Sequence, residues 1–477
     1  MNQIKLNSLK QQFENCADIK TQTYTFPASA VILFTCEAMT DTHLLNETIV
    51  PRLKIACHQK QALSENTLQQ NLYLPDLQKI NQLEDSIIPV FNGHVLIYIE
   101  ALEVLFSSNI ESKPNRSPEE TNLEVLIKGP RDNFIEDLGV NIALIRKRLP
   151  TNSLSVEKMT IGERSHTKVA ILYFQDIADL AILKELKQQF QAIDTDTIMS
   201  GEMLMERINK NSYFIPLNDA TGRPDFAMQA LVTGRYVILV DGIAYAVITP
   251  INVFTLLKSG EDTDYPSFFS SLERLLRLTS IFIALLLPAF WLALTTFHQE
   301  QLPIQLLATV VQSNTGSPLP SAIEMLAMLF MFELFREAGL RLPSILGGTI
   351  SVVGGLIIGD AAIRAGITSP AMIVVIAIST IATFTLVNQS FVTTISIMRI
   401  GFIIVTSILG LFGFFLSIYI MLVYVAGIRV FGVPYLSIAA DLSWNNIKKN
   451  LLRPPPSSYK KRPPLLKVQD QTKEGKK

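Results

Sequence analysis

The chain has 477 residues, 48% of them hydrophobic and 17% charged, with a formal net charge of −1. A mean hydropathy of +0.31 is too high for an average soluble enzyme of this length and too low for a protein built only of membrane spans. Two parts of different character are therefore expected, and the change falls near Tyr265 and Pro266. Charges are scattered evenly up to Leu272, whereas long apolar runs dominate from Leu275 to Leu436.

The opening residues, MNQIKLNSLKQQFENC, lack the apolar core of a signal peptide, so the amino-terminal region is expected to stay in the cytoplasm. Cys16, Cys36 and Cys57 are odd in number and show no metal-type pairing, which fits a reducing compartment. His43, His58, His94, His166 and His298 are widely separated, and no zinc-binding run is visible.

Residues 1–150 and 151–271 read as two α/β subdomains. The β-type runs SAVILFTC, HVLIYI, LEVLI and KVAILYF alternate with helical stretches rich in Glu, Lys and Gln. After LEVLI comes GPRDNFIEDLGVNIALIRKRLP. Asp132 is the expected N-cap there, Phe134, Leu138, Ile142, Ile145 and Leu149 recur every three or four residues, and Arg146, Lys147 and Arg148 sit at the negative end of the helix dipole. Gly129-Pro130 is not a phosphate loop, because no Walker lysine follows and the proline removes an amide. In RYVILVDGIAYAVITP two apolar runs flank Asp241-Gly242, a dipeptide suited to a tight hairpin turn. No G-x-S-x-G, H-E-x-x-H or Cys-x-x-Cys occurs and the carboxylates are dispersed, so neither an enzyme nor a cofactor or metal site is expected.

Residues 272–440 read as an α-helical multi-pass membrane domain of about four spans. Segments 275–297, 343–363, 367–389 and 400–426 approach the roughly 20 apolar residues that a crossing needs. Four crossings return the chain to its starting side, and charge agrees: the tail from Leu442 to Lys477, within a basic proline-rich segment 441–477, holds ten Lys/Arg against Asp470 and Glu474, a net of +8. The stretch from His298 to Arg341 has a net of −2 and is expected outside. Within it, SAIEMLAMLFMFELFREAGLRLP opens with a capping-box spacing, Ser321 and Glu324, and groups Glu333, Arg336 and Glu337 near its end. Charge at both ends leaves a short apolar stretch, so this helix is expected along the outer interface.

Segment 343–363 is unusual. Gly348, Ser351, Gly355 and Gly359 share one helical face, with Leu346, Ile350, Val353 and Ile357 opposite. Glycine costs about 1 kcal/mol relative to alanine inside a helix, and close helix packing is what offsets it. Between the two faces run Thr349, Val352, Leu356 and Asp360. Repeated around an axis, they give a polar mouth, an apolar constriction and an acidic ring, which is a channel wall. The alternative is a packed anchor helix with Asp360 paired to Arg364. Hydroxyl and amide groups of the third segment, among them Ser379, Thr380, Thr383, Thr385 and Asn388, either bond between helices, line water, or bond back to their own helix. Gly401, Gly410, Gly413 and Gly427 in the fourth are expected to pack. The proline-rich RPPPSSYKKRPP reads as extended, either against anionic lipid or solvated.

Taken in order, GPRDNFIEDLGVNIALIRKRLP, RPDFAMQALVTGRYVILVDGIAYAVITP, EDTDYPSFFSSLERLLR, LPAFWLALTTFHQEQLP and FELFREAGLRLPSILGGTISVVGGLIIGDAAIRAGITSP give a chain that resembles the A subunit of bacterial spore germinant receptors, the GerA family. The likeness runs over nearly the whole chain. It implies a multi-pass protein of the spore inner membrane with both termini on the core side, assembled with a transporter-like B subunit and a lipoprotein C subunit. It further implies a homo-oligomeric, ligand-gated channel for monovalent cations, with TISVVGGLIIG at the pore and no nucleic-acid partner. One departure is Gly222 before Arg223, where the family often has glutamate. Two alternatives stand beside the channel: a non-conducting membrane scaffold, and a paralogue associated with dipicolinic acid release.

Overall fold

Long uninterrupted apolar runs make strands only where both sheet faces are covered, and this governs the amino-terminal half. The computed structural model describes residues 4–58, 72–114, 130, 132–208, 212, 214–314, 318–341, 359–440, 442–455 and 462–472. Strands β1 (Ile19–Thr25), β2 (Ala30–Cys36), β3 (Gln78–Ile80), β4 (His94–Ile99) and β5 (Val104–Asn109) form one antiparallel sheet in the order β1-β2-β4-β5-β3. Strands β6 (Leu154–Ile161), β7 (Thr167–Phe174), β8 (Asp219–Thr221), β9 (Tyr236–Val240) and β10 (Ala246–Thr249) form a second in the order β6-β7-β9-β10-β8. The two orders are equivalent, so one topology is used twice. The runs SAVILFTC, HVLIYI and KVAILYF become the inner strands β2, β4 and β7, whereas LEVLI lies outside the described residues.

The first sheet is covered on both sides. Helices α1 (Leu6–Gln12) and, beyond β3, α3 (Ile87–Phe91) set Leu9 and Phe91 against Ile32, Phe34 and Leu96. Helix α2 (Val50–His58) sets Leu53 against Val31, Leu33 and Ile97 on the other face. Helix α4 (Leu138–Arg148) then bridges the sheets: Leu138, Ile142 and Ile145 join the second core and Ala143 the first. Its N-cap is Asp137, which accepts from the Val140 amide at 2.8 Å, not the expected Asp132. Asp132 instead takes the Arg148 guanidinium at 2.5 Å. The hairpin of β9 and β10 is present, with Leu239 opposite Ala246, but its connection is residues 241–245 and not a two-residue turn. Gly242 takes the positive φ of 81°. The Asp241 carboxylate accepts from the Leu138 amide at 3.2 Å and Gly242 N–H donates to the Glu136 carbonyl at 2.8 Å, so the turn fastens α4 to the sheet.

Helices α5 (Leu180–Gln191), α6 (Gly201–Ile208) and α7 (Pro224–Val232) serve the second sheet. The carboxy-terminal half is helical: α8 (Ser267–Thr296), α9 (Ile304–Asn314), α10 (Ser321–Arg341), α11 (Pro370–Phe384) and α12 (Gln389–Gly427). Two of these, α8 and α12, are long and apolar enough to cross a membrane, and they contain most or all of the expected segments 275–297 and 400–426. Segment 367–389 yields only the 15-residue α11, shorter than a crossing. Ser369 and Pro370 start that helix and Asn388 caps the next one. Of segment 343–363, only the helical turn from 359 onward lies among the described residues.

At 39 residues α12 is about 58 Å long, and Gly410 breaks it with φ 62° and ψ −142°. A side chain at Gly410 would meet Phe297 at 2.9 Å, so this glycine does pack closely, as Gly413 does against its own preceding turn. Gly401 and Gly427 face open space, contrary to expectation. Of the proline-rich RPPPSSYKKRPP, residues 456–461 lie outside the described residues. Residues 462–472 lie back on the second sheet's unit: Leu466 and Val468 are buried in its core, Gln469 bonds to the backbone of Ile177 and Ala178, and Arg462 bonds to the Val232 carbonyl at 3.0 Å.

Candidate functional site

An apolar helix bundle tolerates an ionised side chain only where something neutralises it. Residues 365–428 carry a single charged side chain, Arg399, in the middle of α12's first half. Its Nη2 donates to Glu333 Oε1 of α10 at 2.8 Å, and Glu333 Oε2 is held by Arg336 Nη2 at 2.7 Å. Arg399 Nη1 donates to Ser379 Oγ of α11 at 2.9 Å, and Arg336 Nη1 donates to Ser396 Oγ at 2.9 Å.

Ser379 has a second task. Pro288 inside α8 has no N–H, which leaves the carbonyl four residues earlier without its helical donor. That carbonyl belongs to Ala284, and Ser379 Oγ donates to it at 2.8 Å. The network thereby ties α8, α10, α11 and α12 together. Glu324, whose spacing suggested a capping box, reaches across instead: its buried carboxylate accepts from Thr368 Oγ1 at 2.6 Å and the Ser369 amide at 2.7 Å. Glu324 and Glu333 thus point into the bundle, whereas Glu337 of the same helix is exposed. Of the third-segment hydroxyls, Thr383 and Thr385 bond back to their own helix.

Of the expected pore and packing residues, only Gly359 and Asp360 lie among the described residues. Asp360 pairs with Arg364 at 2.8 Å and both side chains are exposed. Gly359 stands beside Ile373 of α11. Thr349, Val352, Leu356, Gly348, Ser351 and Gly355 lie outside the described residues.

A second feature joins the bundle to the second sheet's unit. Asn388, the N-cap of α12, donates through Nδ2 to Asp219 Oδ1 of β8 at 2.8 Å, and Thr394 Oγ1 donates to the Phe214 carbonyl at 2.7 Å. Here a cavity of about 70 Å³ is lined by Asp219, Phe226, Leu256, Lys258, Asn388 and Ser390. Buried Arg235, bonded to the Pro250 carbonyl and Thr255 Oγ1, is pulled down to about 10 by burial, with Asp219 opposing. The linker into α8 is pinned by buried Asp262, which takes Arg274 Nε at 2.7 Å and Arg277 Nη1 at 2.9 Å. Among the described residues no group of three or more His, Cys, Asp or Glu side chains forms a metal site.

Sequence reasoning missed the Glu333–Arg399 pair, because 66 positions separate the partners. The available signal was the lone arginine in an uncharged stretch, which demands a carboxylate from elsewhere.

An α/β region hydrogen-bonded to an apolar helical bundle, two of whose helices are long and apolar enough to cross a membrane, defines a two-part protein. Comparison with known proteins agrees with this class. A family model described as Bacillus/Clostridium GerA spore germination protein matches residues 7–465. Spore germination protein XA of Bacillus anthracis is 39% identical over 98% of this chain and 96% of its own length. Spore germination protein KA of Bacillus subtilis is 33% identical over 92% of this chain and 81% of its own. The crystal structure of the N-terminal domain of the A subunit of the Bacillus megaterium spore germinant receptor GerK3 aligns at a TM-score of 0.41 and 20% identity, covering 51% of this chain and 92% of that domain. The chain belongs to the GerA family of spore germination proteins.

Proposed function

We propose that this chain is the A subunit of a spore germinant receptor, a homo-oligomer in the spore inner membrane that holds monovalent cations back until a transporter-like B subunit, with a lipoprotein C subunit, responds to nutrient. The observation carrying this reading is a polar network inside an apolar bundle that is itself hydrogen-bonded to the α/β region through Asp219 and Asn388. Such a bundle has the rigid connections needed to convert a shift in the α/β region into a change of helix packing. In this reading Thr349, Val352, Leu356 and Asp360 face the conduction path, with Gly348, Ser351, Gly355 and Gly359 permitting close approach of neighbouring helices.

The test is resting cation retention in spores or proteoliposomes carrying the assembled receptor. Val352→Ala or Leu356→Ala widens an apolar constriction and is expected to raise resting leak, and normal retention in both variants removes these residues from a gate. The competing reading, a scaffold without a pore, draws on the Asp360–Arg364 pair. If Asp360→Asn alters cation preference while conduction persists, the scaffold reading fails.

A further inference from the structure

The two α/β units follow one plan, and the plan leaves a slot at the same place in each. Met39 stands three residues beyond β2 and Ile177 three residues beyond β7, and two positions further on Asp41 and Asp179 cap the helical turns that follow. Across the slot lies a glycine of positive φ just ahead of the next inner strand, Gly93 at 96° before β4 and Gly234 at 93° before β9. A backbone carbonyl on one wall and a bare Cα on the other suit an extended chain that lays one side chain over the glycine.

The first unit fills its slot with its own chain. Residues 110–112 follow β5 directly: Ser112 N–H donates to the Met39 carbonyl at 2.8 Å, the Ile110 carbonyl accepts from the Asp41 amide at 2.8 Å, and Glu111 stands 3.0 Å from where a Cβ on Gly93 would sit. In the second unit the chain after β10 turns into the short helix Val253–Leu256, capped by Asn252. The carboxy-terminal segment takes the slot instead. Gln469 N–H donates to the Ile177 carbonyl at 2.9 Å and Val468 lies over Gly234, so these two residues stand where Ser112 and Glu111 stand in the first unit. Gln469 arrives there from 291 positions beyond Ala178, to which its side chain also bonds. What one unit builds from its own strand connection, the other holds as a distant segment.

We propose that the slot beside Gly234 is a peptide-binding site whose ligand, residues 462–472, is exchanged between neighbouring copies of this chain. The segment makes the same bonds whichever copy supplies it, so only the path of its connection differs. Arg453 is anchored to the bundle, its amide donating to Ser271 Oγ at 3.0 Å. The chain from there to Arg462 extends to about 30 Å, roughly the width of one α/β unit, which brings the slot of an adjoining copy within reach. The neighbouring copy is that of the homo-oligomer proposed above, and the exchange rests on that reading.

The test co-expresses two differently tagged full-length chains, one with Gly234→Cys and one with Val468→Cys, and oxidises them in detergent. The Val468 Cβ lies 3.7 Å from a Cβ built on Gly234, a separation that a disulfide spans. A linked product carrying both tags is expected, and it is lost when either substitution is omitted, since the native Cys16, Cys36 and Cys57 are buried. Light scattering of the same sample gives the copy number separately. An oligomer without the mixed product overturns the exchange alone, and a monomer overturns the exchange together with the oligomer on which it rests. Where the cysteine variants do not fold, full-length Val468→Asp, whose own segment no longer fits the slot, is titrated with a labelled peptide of residues 462–472. Saturable binding that is lost when the peptide itself carries Val468→Asp supports the proposal, and absence of binding overturns it.

Discussion

Arg146 is a charged side chain with almost no exposure to solvent. It lies wholly inside the protein, with Nε on Asp18 Oδ2 at 2.6 Å, Nη2 on Asp18 Oδ1 at 2.9 Å and Nη1 on the Thr151 carbonyl at 2.7 Å, above the Phe91 ring. Burial pulls the guanidinium down, but the Asp18 carboxylate more than offsets it and holds the group above its ordinary value. Asp18 belongs to the first sheet's unit and Arg146 to α4, so the pair joins the two units. Asp18→Asn or Arg146→Met leaves one buried charge alone and is expected to cost about 3–5 kcal/mol, read as a lowered denaturant midpoint, whereas Asp18→Leu with Arg146→Met together recovers most of it. Equal losses in single and double variants would show that the pair is not what the site requires. The same neighbourhood sets an alkaline limit. Burial pushes the Cys16, Cys36 and Cys57 thiols above 9.0, and burial with nearby carboxylates pushes the Tyr173 and Tyr236 hydroxyls above 10.0. The unfolded chain gives up these protons at lower pH than the folded one. Stability complete below about pH 9 is therefore expected to fall as pH rises beyond it, and a denaturant midpoint that stays flat from pH 8 to pH 11 would contradict this.

Among the elements, α8 and α11 are coupled by a vacancy in one and a hydroxyl in the other. Pro288 frees the Ala284 carbonyl, and Ser379 supplies the missing donor while also accepting from Arg399. Ser379→Ala leaves a buried carbonyl unsatisfied and is expected to cost about 1–3 kcal/mol of thermal or denaturant stability. Pro288→Ala restores the helical donor, so the Ser379→Ala cost is expected to shrink in that background. Additive losses would mean that the serine does not answer the proline. Elements of this kind were legible to different depths. Strands β2, β4 and β7 could be read directly, because continuous apolar runs have few other uses. Helix α4 was visible from its periodicity, but its start was misplaced because Asp132 and Asp137 are equally good caps in sequence, and only the Arg148 side chain decides between them. Segment 367–389 looked long enough to cross as one piece, yet the capping chemistry of Ser369 and Asn388 confines α11 to 15 residues. Of the candidate site, the suspicion that third-segment hydroxyls bond between helices was right for Ser379, and nothing in periodicity pointed to Glu333 as the partner of Arg399.

At the scale of the whole molecule, the chain leaves the α/β region through α8, passes through the bundle and comes back. Arg462 bonds to the Val232 carbonyl and pairs with Asp470 at 2.7 Å, Gln469 bonds to Ile177 and Ala178, and Val468 fills the space beside Gly234, where φ is 93°. The Asp470 carboxyl is held down to about 2 by Thr472 and by Arg462. Gly234 has room for no side chain because a Cβ there would sit 2.4 Å from Val468. Burying Leu466 and Val468 contributes about 1.5–3 kcal/mol each, enough to hold the strap closed against the entropy of an otherwise solvated tail. In the membrane-spanning reading proposed above, a strap bound to the amino-terminal region places both on one side, and the predicted number of crossings is even. Epitope tags at the two ends are therefore expected to be cleaved by protease from the same face of sealed vesicles and protected together in vesicles of opposite orientation. Truncation after residue 455 should raise amide exchange at Ile177, Ala178 and residues 232–236 while leaving the first sheet unchanged. Tags cleaved from opposite faces would require an odd number of crossings and break the strap, and unchanged exchange on truncation would show that residues 462–472 add nothing to the unit they cover.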